Sequence, residues 1–208
     1  MQGAELGSRR RSYAAKVSPD NKVSTHMSST RMSEAEVSLR LAVHLVMSGR
    51  VKSDVAVALD GAQVKVGQTQ HFDVSGFLGS LGWLPEQESV RWQCKYINPS
   101  AAQSILVHSQ SGRGDVTATL SSGESLVVEA KKGTITKCKS SSEYPLLREA
   151  LGQLLTLEAV PENAVLAVAV PHGERFITLA ARWREAPLVK RSGIRLLTVS
   201  QTGEVVGW

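Results

Sequence analysis

Aromatic residues make up only 5% of the 208 residues, and two cysteines, Cys94 and Cys138, are too few for a disulfide framework or a zinc site. The five histidines, His26, His44, His71, His108 and His172, fall at no metal-ligand spacing. No apolar run approaches the ~18 residues of a membrane span, and no charged, apolar and small-residue series marks a secretory signal. The expectation is therefore a cytoplasmic protein with no membrane partner. A glycine-rich nucleotide loop and a nucleophile signature are lacking too, which leaves a small-molecule enzyme of another kind without support. What the chain has in quantity is aliphatic sequence: 42% of it is hydrophobic and 21% charged, enough for one globular core.

The net charge of +5 is unevenly spread. Residues 1 to 32 hold six basic side chains (Arg9, Arg10, Arg11, Lys16, Lys22, Arg31) against Glu5 and Asp20, and the 18 basic and 17 acidic groups left over give residues 33 to 208 a charge of only +1. The first 32 residues have almost no large apolar side chains with which to offset their ordering entropy, and they read as a disordered basic tail before a domain spanning 33 to 208. Methionines at Met27 and Met32 also allow a natural start later than residue 1. A nearly neutral body means that any anionic partner is met by a local patch rather than by overall charge.

Secondary structure follows from periodicity. Ser33-Glu34-Ala35-Glu36 has the form of a capping box and opens a helix through Val37, Leu41, Leu45 and Val46 that Gly49 closes. Residues 54 to 66 alternate around Asp60-Gly61, which predicts an accessory hairpin, or an extension of the helical region in their first half. A short helix is expected between Phe72 and Trp83, then strands at Val90–Ile97 and Ser104–Ser109, and a helix from Glu143 through Leu155. Ala164 to Val170 is a continuous apolar run, the pattern of a strand covered on both faces at the sheet centre. A helix over Phe176–Lys190, a strand over Ile194–Val199 and a turn at Thr202-Gly203 complete a mixed α+β order.

Chemistry concentrates between Gly112 and Gly133. Two β-branched runs, Val116–Leu120 and Leu126–Val128, flank Ser121-Ser122-Gly123, a three-residue turn with glycine where a left-handed conformation is required. With that loop, residues whose numbers sum to 244 pair, so Asp115 falls opposite Glu129 and the period of two puts Lys131 on the same face. Opposed carboxylates repel unless a divalent cation lies between them, and hard oxygen donors with water favour magnesium or manganese. Gly112 and Gly114 let the backbone bend so that Asp115 points into a cleft with room for a phosphate, which Arg113 could contact.

An aspartate followed on the next strand by Glu-x-Lys, here Gly114-Asp115 and Glu129-Ala130-Lys131, resembles the PD-(D/E)XK nuclease superfamily with its restriction-endonuclease-like fold. The resemblance covers about residues 33 to 200 and is specific in the hairpin and in the helix after it. It implies an α-βββ-α-β core, a mixed central sheet flanked by helices, and hydrolysis of phosphodiesters, in DNA first, with Mg2+ or Mn2+. Asp115, Glu129 and the carbonyl of Ala130 would hold the metal, and Lys131 would place the attacking water. The superfamily's first core helix often adds a glutamate, for which Glu36 comes before Glu34, and its later helix a polar residue, for which Gln153 comes before Arg148. Arg113, Lys132, Lys137, Lys139 and Arg148 are the candidates for phosphate contacts. Cutting both strands would call for a homodimer or a partner protein that supplies recognition. The alternative is a catalytically silent module of the same fold that binds nucleic acid or a protein.

Overall fold

Helical stripes and β-branched runs alternate along the chain, and it folds accordingly. The structure is a computed structural model that describes residues 30–87, 91–110, 112, 114–136 and 142–208. In chain order its elements are β1 (Arg31–Met32), α1 (Glu34–Met47), β2 (Val55–Ala58), α2 (Gly61–Val64), β3 (Lys65–Val66), β4 (Thr69–Gln70), α3 (Val74–Ser80), β5 (Leu84–Pro85), β6 (Lys95–Ile97), β7 (Ile105–His108), β8 (Val116–Thr119), β9 (Ser125–Ala130), β10 (Gly133–Thr134), α4 (Glu143–Leu155), β11 (Ala164–Pro171), α5 (Glu174–Arg184), α6 (Pro187–Ser192), β12 (Arg195–Val199) and β13 (Val205–Val206). Among the described residues no helix is long and apolar enough to cross a membrane.

A mixed sheet runs through the centre in the order β13-β12-β11-β9-β8-β2-β7-β6-β5. β11 lies in it as its composition demands: parallel to β9 on one side and to β12 on the other, with Val168 beside Glu129 and Leu196. The period of two then divides two cores. Ala167 and Ala169 pack with Val128 and Ala130 under α1, whose Val37, Leu41 and Leu45 are fully buried. Val168 and Val170 turn the other way, toward Leu147 and Leu154 of α4 and Phe176 and Ala180 of α5. Each buried aliphatic side chain of this kind contributes about 1.5–3 kcal/mol, so the sheet's middle strands are the most strongly held part of the molecule. The first helix begins where the capping box places it, with Glu36 N–H donating to Ser33 Oγ at 3.0 Å.

Three expectations are revised. Residues 54 to 66 are not an accessory hairpin: β2 sits inside the sheet between β8 and β7, with Val55 and Val57 in the core. Asp60 caps α2 by accepting from Ala62 N–H at 2.9 Å, since an aspartate before glycine serves a helix start as well as a turn. The single helix expected over Phe176–Lys190 is two, α5 and α6, because Pro187 has no N–H to continue the ladder and starts a new helix at its first turn. Of the strand expected at Val90–Ile97, Val90 lies outside the described residues, and among the described ones Lys95–Ile97 forms the strand, against β7 and β5.

The tail boundary also moves. Arg31 and Met32 pair with Thr134 and Gly133, and Met32 is 1% exposed within the α1 core, so the folded body includes residues that composition alone assigns to the tail. Residues 1–29 lie outside the described residues. Met32→Ala is expected to lower stability by about 2–5 kcal/mol, the cost of truncating a buried side chain of this size. Urea unfolding measures it, and a variant as stable as the wild type would show that β1 does not anchor the core.

Candidate functional site

The β8–β9 hairpin places the candidate site. Leu120 N–H donates to Glu124 O at 2.8 Å and Gly123 N–H to Leu120 O at 2.9 Å, closing a three-residue loop in which Gly123 has φ +101°. Val116 pairs with Val128, Thr117 with Val127 and Thr119 with Ser125, the register that the loop length requires. One step beyond the ladder, Asp115 N–H donates to Val128 O at 2.8 Å and Asp115 Oδ2 accepts from Ala130 N–H at 2.7 Å. Those two bonds pin the aspartate beside Glu129. Gly114 makes the approach possible: its φ is +91°, and a Cβ there would lie 2.9 Å from both Val128 O and Val127 Cγ1.

Burial sets the electrostatics. Glu129 is 8% exposed, and loss of hydration pushes its carboxyl up to about 7, helped by the negative charge of Asp115 and opposed by Lys131. Asp115 rises to about 6, again chiefly from burial, while the Ala130 N–H holds it down and Glu34 raises it. Lys131 is buried and its Nζ lies 3.2 Å from Glu149 Oε1 on α4.

A cavity of about 330 Å³ opens over the pair, lined by Asp115, Glu129, Gly114, Asp60, Gln110 and Gln153 among others. Gln153 thus faces the cavity as expected of the helix after Lys131, whereas Arg148 lies over the Tyr144 ring at 5.6 Å, turned to another part of α4. Glu36 does not reach the site. Its carboxylate pairs with Arg40 at 2.9 Å, one turn along α1, and it is Glu34 whose charge Asp115 and Glu129 feel. Lys132 is exposed beside the hairpin's end; Arg113, Lys137 and Lys139 lie outside the described residues. Sequence reasoning missed Glu149. The signal available was its place four residues before Gln153, the spacing that puts two side chains on one helix face.

The donor set decides which cation could be held. A strand residue sends its N–H and C=O to the same side, so the Ala130 carbonyl turns with its N–H toward the end where Asp115 sits. Two carboxylates and a carbonyl suit magnesium, which commonly takes one or two carboxylates and completes its shell with water and substrate phosphate. Among the described residues no group of three or more histidine, cysteine, aspartate and glutamate side chains could hold a metal by itself. A closed all-protein cage is therefore not what these residues build.

Stability should carry the mark of the pair. Both carboxyls have higher pKa values folded than their ordinary 3.8 and 4.5, so protons favour the folded state. Well below pH ~4 both states are protonated and the pair costs nothing; as pH rises toward about 7 the unfolded chain ionises both carboxyls freely while the folded protein holds their protons, and stability falls. Metal-free melting temperatures across this range should fall more steeply for the wild type than for Asp115→Asn/Glu129→Gln. Equal slopes would contradict the assignment.

No protein-family model matches the chain, and neither does any curated protein or solved structure compared with it.

Proposed function

We propose that the protein is a metal-dependent phosphodiesterase with a restriction-endonuclease-like core, acting on nucleic acid and on DNA first. The observation that carries this reading is half-buried Asp115 next to buried Glu129, with buried Lys131 two residues on, the two carboxylates lining an open cavity. The order α1, β2, β8, β9, α4, β11 is in keeping with an α-βββ-α-β core, in which β2, β8 and β9 form an antiparallel meander and β11 adds in parallel.

Asp115, Glu129 and the Ala130 carbonyl would hold magnesium or manganese, which when bound supplies charge to polarise the scissile phosphate and lowers the pKa of an attacking water. The protein's own part is placement. The Ala130 N–H fixes one Asp115 oxygen, and Asp115 lines the cavity. Lys131 can orient the water or stabilise charge that develops on the phosphate oxygens, and burial strengthens either effect. Gln153 offers an amide to a phosphate oxygen or to the water from the cavity wall.

The donor count favours a second reading, the silent nucleic-acid-binding or partner-binding module: the described residues hold no group of three metal-ligating side chains, and the ammonium of Lys131 is engaged by Glu149. Cleavage assays on plasmid, single-stranded DNA and RNA with magnesium and manganese separate the two. Under the first reading Glu129→Ala abolishes cleavage and weakens magnesium binding, whereas Lys131→Ala lowers turnover by roughly 10²–10⁴-fold, the range for loss of a positioned proton-handling group, with metal affinity nearly unchanged. Full activity in either purified variant would remove the first reading. Wild-type protein that binds DNA and never cuts it with either metal would select the second.

A further inference from the structure

We infer that Glu149 is a positioning residue that holds the Lys131 ammonium off the Asp115–Glu129 pair and so keeps those carboxylates open to a divalent cation; this rests on the phosphodiesterase reading above. Lys131 leaves β9 on the same face as Glu129, two residues further on, and its side chain is only 6% exposed. A buried ammonium must have an anionic partner, because without one it bears its desolvation cost uncompensated. Three carboxylates are within its electrostatic reach: Asp115 and Glu129 both feel its charge, and Glu149 forms the ion pair.

The geometry of α4 explains the choice. Glu149 and Gln153 stand one helical turn apart on one face, with Gln153 over the cavity and Glu149 over the lysine. The Glu149 side chain is 57% exposed, so its own charge stays hydrated while one oxygen reaches the ammonium. It anchors Lys131 at little cost. With Glu149 removed, Asp115 and Glu129 are the carboxylates that still feel the Lys131 charge. The ammonium would then occupy the oxygens that a cation needs, an internal competitor at the site.

Calorimetry with magnesium on the full chain tests this, using wild type, Glu149→Ala, Glu149→Gln, Lys131→Met and the Glu149→Ala/Lys131→Met double variant. Glu149→Ala should weaken magnesium binding by roughly 10- to 100-fold, the usual effect of losing a group that orients a metal's surroundings. Glu149→Gln, whose amide oxygen still accepts from the ammonium, should weaken it less, and it keeps the helix surface intact should the alanine variant fold poorly. The double variant should bind as Lys131→Met does, since the competitor is gone. Unchanged affinity in Glu149→Ala, or a double variant as weak as that single one, would overturn the inference and leave the phosphodiesterase reading standing. Wild-type protein that gives no binding heat with magnesium or manganese would remove the metal-site reading and this inference together.

Discussion

Two carboxylates that would avoid each other in water are forced together by a backbone register. The loop at Ser121–Gly123 sets a pairing of β8 with β9 that runs as far as Val116 and Val128, and beyond it the Val128 carbonyl and the Ala130 N–H hold Asp115 close to Glu129 whatever their charges prefer. Slipping by one residue would relieve the repulsion but would turn Val116 and Val128 out of the α1 core, together with the rest of their face. Hydrophobic burial thus holds an electrostatic strain in place. The protein tempers it with the Ala130 N–H and with the charge of Lys131, neither of which removes it.

The layers around the hairpin serve this arrangement. α1 covers one face of β9 and β11 and brings Glu34 to the site's edge; α4 covers the other face and brings Glu149 and Gln153. Small residues on the α1 side, Ala130, Ala167 and Ala169, let the helix lie close to the sheet, while valines on the opposite side fill the space under α4 and α5. Two of the molecule's buried charged residues, Glu129 and Lys131, stand together at the C-terminal end of β9. A buried lysine there is tolerable because α4 supplies its counterion from the solvent side.

Much of this was legible in the chain because it is local. A three-residue turn fixes a register, a capping box fixes a helix start, and an unbroken apolar run such as Ala164–Val170 belongs between two other strands. What could not be read depends on rotation and distance. Glu34 and Glu36 differ by two positions, about 200° around a helix, so only one can face the hairpin, and no local pattern says which. The link between Lys131 and Glu149 joins a strand to a helix whose relative placement is settled by core packing. Asp60-Gly61 was ambiguous for a different reason: the same dipeptide chemistry starts a helix or closes a hairpin, and the burial of Val55 and Val57 decides between them.

Gly114 bears on how such a site can vary. Its φ of +91° and its contact with the Val128 carbonyl leave no room for a side chain, and proline, whose ring holds φ near about −65°, cannot take that conformation at all. Position 114 is thus closed to proline and to any residue with a side chain, so the approach to Asp115 is written in glycine alone. Any change at this one glycine would therefore move Asp115 relative to the Val128 carbonyl and the Ala130 N–H that hold it, although residue 114 itself carries no chemistry.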